Sequence, residues 1–340
     1  MTASRLQPPS KHGHRIWGLI KILLALILAG FIVSKTDLRQ LTSLSGQIVW
    51  FWLALRFTFF CLMIVSKSFQ YWILLDREIP YSRMLGIVVL QNALSNFVAN
   101  SAGIASYLTM LNADAGVKLR RAGGAFIVTK AGDLFAMWLF LLISSFFVWG
   151  EIEDIHGLIV LLAAGVLFGL IMFLTTVLLR QRFVSALRRA ASWFRIDHLG
   201  PVNRALDTLQ ALASQETGMV FTLFLRGSGL SLLYMCITLS LYYSSMRVFS
   251  IPIDFWPIIF VAAILQLLSI VPIQVLGGLG VTEVTSMYLY GLFGVTQDVI
   301  AAPLLGLRMI YYLMNLATLL YLPVETFLLR QKTDAEHGKG

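Results

Sequence analysis

The chain has 340 residues, of which 58% are hydrophobic and only 13% charged, against about 25% charged in soluble domains. One water-soluble core cannot hide that much apolar surface, so lipid is the solvent for most of it. The net charge of +9 calls for no nucleic-acid partner, because Lys and Arg of membrane proteins gather in cytoplasmic loops. Residues 1–15 are polar and basic, and an apolar stretch, 16–34, follows. Lys21 interrupts that stretch and no small-x-small cleavage site follows it, so it reads as a retained helix and not a signal peptide. A crossing helix needs about 20 apolar residues. The sequence supplies such runs at 16–34, 48–75, 121–149, 156–180, 219–245 and 298–329.

Two other apolar regions, 84–116 and 256–293, each split around a polar, small-residue break. The first break is Asn96-Phe97-Val98-Ala99-Asn100-Ser101-Ala102-Gly103, and the second runs from Pro272 to Gly280 through Gly277-Gly278. Non-helical backbone at membrane depth survives only against protein or a wet cavity. Both regions therefore read as re-entrant hairpins that return to the side they entered. The longest hydrophilic stretch, 181–217, sets Arg182, Arg188, Arg189, Arg195 and Arg204 among Phe183, Leu187, Trp193, Phe194 and Leu199. That pattern fits an amphipathic helix on an anionic leaflet, and the stretch is too short for a catalytic domain.

Charge distribution tests this topology. With a cytoplasmic N-terminus and hairpins that do not cross, seventeen of the 26 Lys and Arg fall inside and three fall outside, with the acidic run Glu151-Ile152-Glu153-Asp154 outside. A crossing hairpin would move the later basic loops to the wrong side and weaken the bias. The N- and C-termini are then both cytoplasmic.

The two halves resemble each other. Lys130 falls on Arg308, Gly116-Val117 on Gly294-Val295, and Asn100 on Gly278; with a slightly shorter offset, Phe51, Leu53, Leu55 and Arg56 fall on Phe221, Leu223, Leu225 and Arg226. Each half is a crossing helix with an Arg, a broken hairpin, then a crossing helix with a cation. Parity gives the halves opposite orientation, a recurring design of transporters. The expected fold is an all-α polytopic membrane protein with about six crossing helices and two re-entrant broken-helix hairpins in an inverted repeat. It is one transmembrane domain, 1–340, with half-repeats at 16–149 and 219–329. Between them, 150–218 holds a connecting helix and a cytoplasmic amphipathic linker.

Intramembrane charge points to function by default. Lys130 and Arg308 sit deep in their helices and are candidates to hold an anionic substrate. The structural alternative pairs Lys130 with Asp133 and Arg308 with Glu283. Arg56 and Arg226 lie about two turns from their helix ends, where they either snorkel or contact substrate. Glu283 either caps the helix after Gly277-Gly278-Leu279-Gly280, carries protons, or pairs with Arg308. The glycines let backbone approach a ligand closely. Asn92, Asn96 and Asn100 recur every fourth residue; they line a polar path or join helices by hydrogen bonds. Tyr311, Tyr312 and Asn315 fall near the face of Arg308. Gly227-Ser228-Gly229 fits close helix packing. All five His residues lie in tails or loops, so no intramembrane His can activate a nucleophile. Cys61 and Cys236 form no metal or disulfide motif. No catalytic residue, metal or cofactor is expected.

The run from Val271 to Glu283, with Gly277-Gly278-Leu279-Gly280-Val281 at its centre, followed by Gly294-Val295 and Arg308, resembles the lysylphosphatidylglycerol synthase transmembrane-domain family, also called flippase-like. Thr282 replaces the basic residue of the family's run. In the first half Asn92 or Asn96, Gly103 and Asp133 match. Ala105 and Ser106 stand where charge is expected, and Thr129-Lys130 replaces Glu-Arg. The resemblance covers nearly the whole chain. It implies a prokaryotic inner-membrane protein similar to the lipid-translocating part of such synthases, with relatives linked to envelope lipid, hopanoid or polysaccharide pathways. The expected function is transbilayer movement of a lipid with an anionic or phosphate-bearing head group. The alternative is a non-catalytic membrane partner of an envelope-biogenesis enzyme, such as a glycosyltransferase or a lipid-modifying enzyme.

Overall fold

The computed structural model describes residues 45–179, 181–193, 210, 217–269, 278 and 280–325. Every regular element among them is helical. Helix α1 spans Trp50–Leu74, with no Gly or Pro in its 25 residues. At 1.5 Å per residue it is about 37 Å long, enough for the hydrocarbon core. It stops where Asp76 and Arg77 take positive φ values of 50° and 60°. Pro80 then precedes α2, Tyr81–Phe97, which turns through Val98-Ala99 into α3, Asn100–Thr109. A π-helical turn, Met110–Asp114, leads to α4, Leu119–Phe147. The second stretch holds α5, His156–Leu179, and α6, Gln181–Trp193. It continues with α7, Thr217–Val248, α8, Phe255–Leu268, α9, Val281–Leu292, and α10, Gln297–Leu319.

Among the described residues, five helices are long and apolar enough to cross a membrane: α1, α4, α5, α7 and α10 with its extension to Glu325. These match five of the six expected crossings, and the expected helix at 16–34 lies outside the described residues. The fold is an all-α polytopic membrane fold. The expected linker helix is present as α6, with the remainder of the linker, apart from position 210, outside the described residues.

Side-chain contacts fix the direction of each helix. Helices α1 and α7 run antiparallel, since Val49 N–H bonds the Val248 carbonyl at 3.0 Å, Trp52 packs on Tyr243 and the Gln70 amide donates to the Gly227 carbonyl. Helix α4 is antiparallel to α1: Lys67 pairs with Asp133, and Arg121 pairs with both Asp76 and Glu78. Helix α10 is parallel to α1, because Arg56 meets Leu307 and Phe60 meets Tyr311. The helices matched between halves, α1 with α7 and α4 with α10, thus point in opposite directions.

The same contacts show that the hairpins turn back. The ion pairs of Arg121 bring the start of α4 to the end of α1, so α2 and α3 leave and return at one end of the bundle. Stacking of Tyr107 on Tyr71 at 4.6 Å puts the end of α3 at that level. Phe260 on Phe293, and Phe147 stacked on Trp256 at 3.9 Å, place the base of α8 and α9 at the opposite end. The tip of the first hairpin reaches the end of α8 in the second. The Asn100 amide, at the start of α3, donates to the carbonyl of Ser269, at the end of α8 (3.1 Å). The first tip folds tightly at Gly103, where a Cβ would overlap the Ser95 hydroxyl and lie 2.6 Å from the Gln91 carbonyl.

The charge expectation corresponds to the two ends of this bundle. Arg77, Arg83, Lys118 and Arg121 cluster at the base of the first hairpin, and Glu151, Glu153, Asp154, Asp254 and Asp298 occupy or flank the turns at the other end.

Candidate functional site

A cavity of about 490 Å³ opens between the halves and is lined by residues from α1, α2, α3, α4, α7, α8, α9 and α10. Among the described residues, its charged lining groups are four cations, Arg56, Lys67, Lys130 and Arg308, and two carboxylates, Asp133 and Glu283. Hydrocarbon on the outside makes each of these charges costly, by about 2.5–3.5 kcal/mol on insertion scales. Their shared placement in one cavity lowers that cost by letting opposite charges pair.

The first cluster is held by α1 and α4. The Lys67 ammonium donates to both oxygens of Asp133 at 2.8 Å and lies 3.8 Å above the Tyr234 ring. The Ser231 hydroxyl donates to Asp133 at 2.9 Å, and the Gln70 amide donates to that hydroxyl oxygen at 2.7 Å. Lys130, one turn before Asp133, stands off at 4.0 Å with its side chain half exposed. The pairing of Lys130 with Asp133 is thus secondary, and Lys67 is the close partner. Close packing allows this geometry: a Cβ on Gly132 would lie 2.8 Å from Ser231 Oγ and 3.3 Å from the Gly227 backbone. Of the Gly-Ser-Gly run, Gly227 lies in this helix contact, whereas a Cβ on Gly229 would meet nothing within 4 Å.

The second cluster is held by α9 and α10. The chain enters α9 through Gly278 and Gly280, with φ of 78° and 86°, a region where side chains other than Gly are strained. The Glu283 carboxylate folds back to accept the Gly280 N–H at 2.7 Å. Its other oxygen accepts from Arg308 Nε at 2.6 Å. Glu283 therefore both caps α9 and pairs with Arg308, two of the three roles its position allowed. Gly277 lies outside the described residues.

Between the clusters runs an amide ladder. The Asn92 and Asn96 amides donate to Asn315 Oδ1 at 2.8 and 3.1 Å, and the Tyr311 hydroxyl donates to Asn96 at 3.2 Å. This ladder joins α2 to α10 and also faces the cavity, so the two readings of the asparagines coexist. Asn100 lies on a different helix, because α2 ends at Phe97; it lines the same cavity and bonds the end of α8.

For Arg56 the structure favours one of the two alternatives the sequence left open. It does not snorkel: it is 5% exposed and lines the cavity. One guanidinium nitrogen donates to the Leu307 carbonyl at 3.2 Å, and its Nε and Nη1 have no partner among the described residues. Arg226, its sequence counterpart, is exposed and lies outside the cavity lining. Sequence reasoning missed Lys67 as a site residue. The available signal was its spacing: Lys67 follows Arg56 by eleven residues, three helical turns, on the face shared with Phe60, Ile64 and Tyr71. No group of His, Cys, Asp and Glu among the described residues has the arrangement of a metal site.

These features define a polytopic α-helical membrane protein with a cation-rich cavity where the first hairpin reaches the end of α8. Residues 18–318 match the model of the lysylphosphatidylglycerol synthase TM region, and the chain belongs to that family. No significant match was found among curated proteins or among solved structures.

Proposed function

We propose that this protein moves an anionic or phosphate-bearing lipid from one leaflet to the other in envelope lipid or polysaccharide biogenesis, without covalent chemistry. The observation that carries the reading is the cavity: four cations against two carboxylates among the described residues, at the point where the tip of the first hairpin reaches the end of α8. A head group has to pass this depth to change leaflet, and its negative charge is favoured there. Family membership places the chain among lipid-related membrane proteins.

The antiparallel courses of α1 and α7, and of α4 and α10, support an inverted repeat. Two such halves exchange inward- and outward-facing shapes by rocking about the cavity. With the end rich in Arg and Lys facing the cytoplasm, as the positive-inside rule favours, the reading has cytoplasmic termini and an inner-membrane location, the latter as the family resemblance implies. Lys130, half exposed at the cavity wall, receives the head group; Arg308, oriented by Glu283, contacts it deeper in.

Purified full-length protein in sealed liposomes tests this. It moves a fluorescently labelled anionic phospholipid faster than empty liposomes, and Lys130→Gln slows that movement while leaving folded yield intact. If the pure protein moves no anionic lipid and a membrane extract restores movement, the protein is instead the non-catalytic partner of another envelope enzyme.

A further inference from the structure

Taking the lipid-moving reading of the cavity as its basis, we infer that the cavity holds two anionic groups of one ligand at once, the second of them on Arg56, so that the preferred head group carries two negative charges, as a diphosphate does. Charge balance is the first argument. Lys67 and Asp133 neutralise each other at 2.8 Å. Arg308 and Glu283 do the same at 2.6 Å. Among the described lining residues, two cations then stand without a carboxylate of their own: Lys130, at 4.0 Å from an aspartate already held by Lys67, and Arg56, whose only hydrogen bond is to a backbone carbonyl. A ligand with two negative charges brings the cavity to neutrality. A phosphodiester with one leaves a buried cation uncompensated, and a zwitterion leaves both.

Hydrogen-bond demand is the second argument. Arg56 is 5% exposed, yet its Nε and Nη1 have no acceptor among the described residues. The buried hydroxyl of Tyr290, in the same cavity lining, is also without a partner among them. Orphaned buried donors are rare and need an acceptor to satisfy them. A diphosphate offers oxygens in excess, and a guanidinium binds two of them side by side.

The test is a calorimetric titration of the full-length protein in detergent with two probes that share one tail, geranyl diphosphate and geranyl methyl phosphate. A charge-assisted contact predicts that the diphosphate binds at least about tenfold more tightly. Arg56→Gln brings the two probes to similar affinity, and Arg56→Lys keeps most of the gap. A thermal melt of each variant separates lost folding from lost binding; if Arg56→Gln does not fold, Arg56→Lys and Lys130→Gln carry the comparison. Inorganic pyrophosphate, titrated in parallel, tells whether the lipid tail contributes: weaker binding than geranyl diphosphate assigns a lipid, and equal binding assigns the diphosphate alone. Equal binding of the two geranyl probes by the unaltered protein overturns the inference, as does a gap that persists in Arg56→Gln. The titration is independent of transport. A gap found in a protein that moves no lipid upholds the two-anion site and removes the transport reading; transport without a gap does the reverse.

Discussion

Arg308 and Glu283 form a buried pair whose members have separate duties. Glu283 also satisfies the Gly280 N–H, so it has a structural task that survives loss of the arginine. Arg308→Gln leaves a buried carboxylate without its cation, which costs about 3–5 kcal/mol in comparable buried pairs. Adding Glu283→Gln restores most of the folded yield, because the stranded charge is gone. Lipid movement stays low in the double variant, because the cation that meets the head group is still missing. Recovery of both folded yield and movement would assign Arg308 to the fold alone. This pair was readable in the sequence, since Glu283 starts a helix right after a glycine turn and Arg308 is the cation of the next crossing helix. The Lys67–Asp133 pair was not, because its partners lie 66 residues apart on different helices. Burial of Arg56 was not readable either. An arginine two turns from a helix end looks the same whether lipid or α10 covers it, and here the carbonyl of Leu307 decides.

Each hairpin has a glycine position that resists a side chain. Gly103→Ala places a methyl group on the Ser95 hydroxyl and 2.6 Å from a backbone carbonyl. The hydroxyl can rotate away, but the carbonyl cannot, so the substitution destabilises the fold by about 1–3 kcal/mol, as overpacking does. Combining it with Ser95→Ala recovers only part of the loss in a thermal melt; full recovery would mean that the carbonyl contact is soft. In the second hairpin Gly278 sits at φ 78°. Gly278→Leu should abolish lipid movement while protein is still expressed, since a side chain is strained in that conformation. Normal movement would show that the turn has no functional role. Both hairpins were visible as breaks rich in small and polar residues inside apolar runs. Where the first break meets the second hairpin was not: the bond from Asn100 to Ser269 joins distant parts of the chain, and no spacing encodes it.

At the largest scale, α1 runs antiparallel to α7 and α4 antiparallel to α10 among the described residues, which supports the proposed inverted repeat. Parity of the crossing helices and the Lys and Arg bias already implied that arrangement. The antiparallel contacts of α1 with α7 supply the geometry that parity lacks. With Cys61 and Cys236 replaced, single cysteines at 153 and 296 should react with an impermeant thiol reagent in intact cells, and those at 79, 119 and 190 should not. Labelling at 119 but not at 153 would reverse the orientation. The central claim is that a head group crosses at the depth where the tip of the first hairpin reaches the end of α8. Its most direct test joins these two. Cysteines are placed at Asn100 and Ser269 in the cysteine-replaced protein, linked by a short reducible thiol cross-linker, and lipid movement is measured in liposomes before linking, after linking and after reduction. The account predicts movement that stops on linking and returns on reduction, whereas unchanged movement in fully linked protein would contradict it.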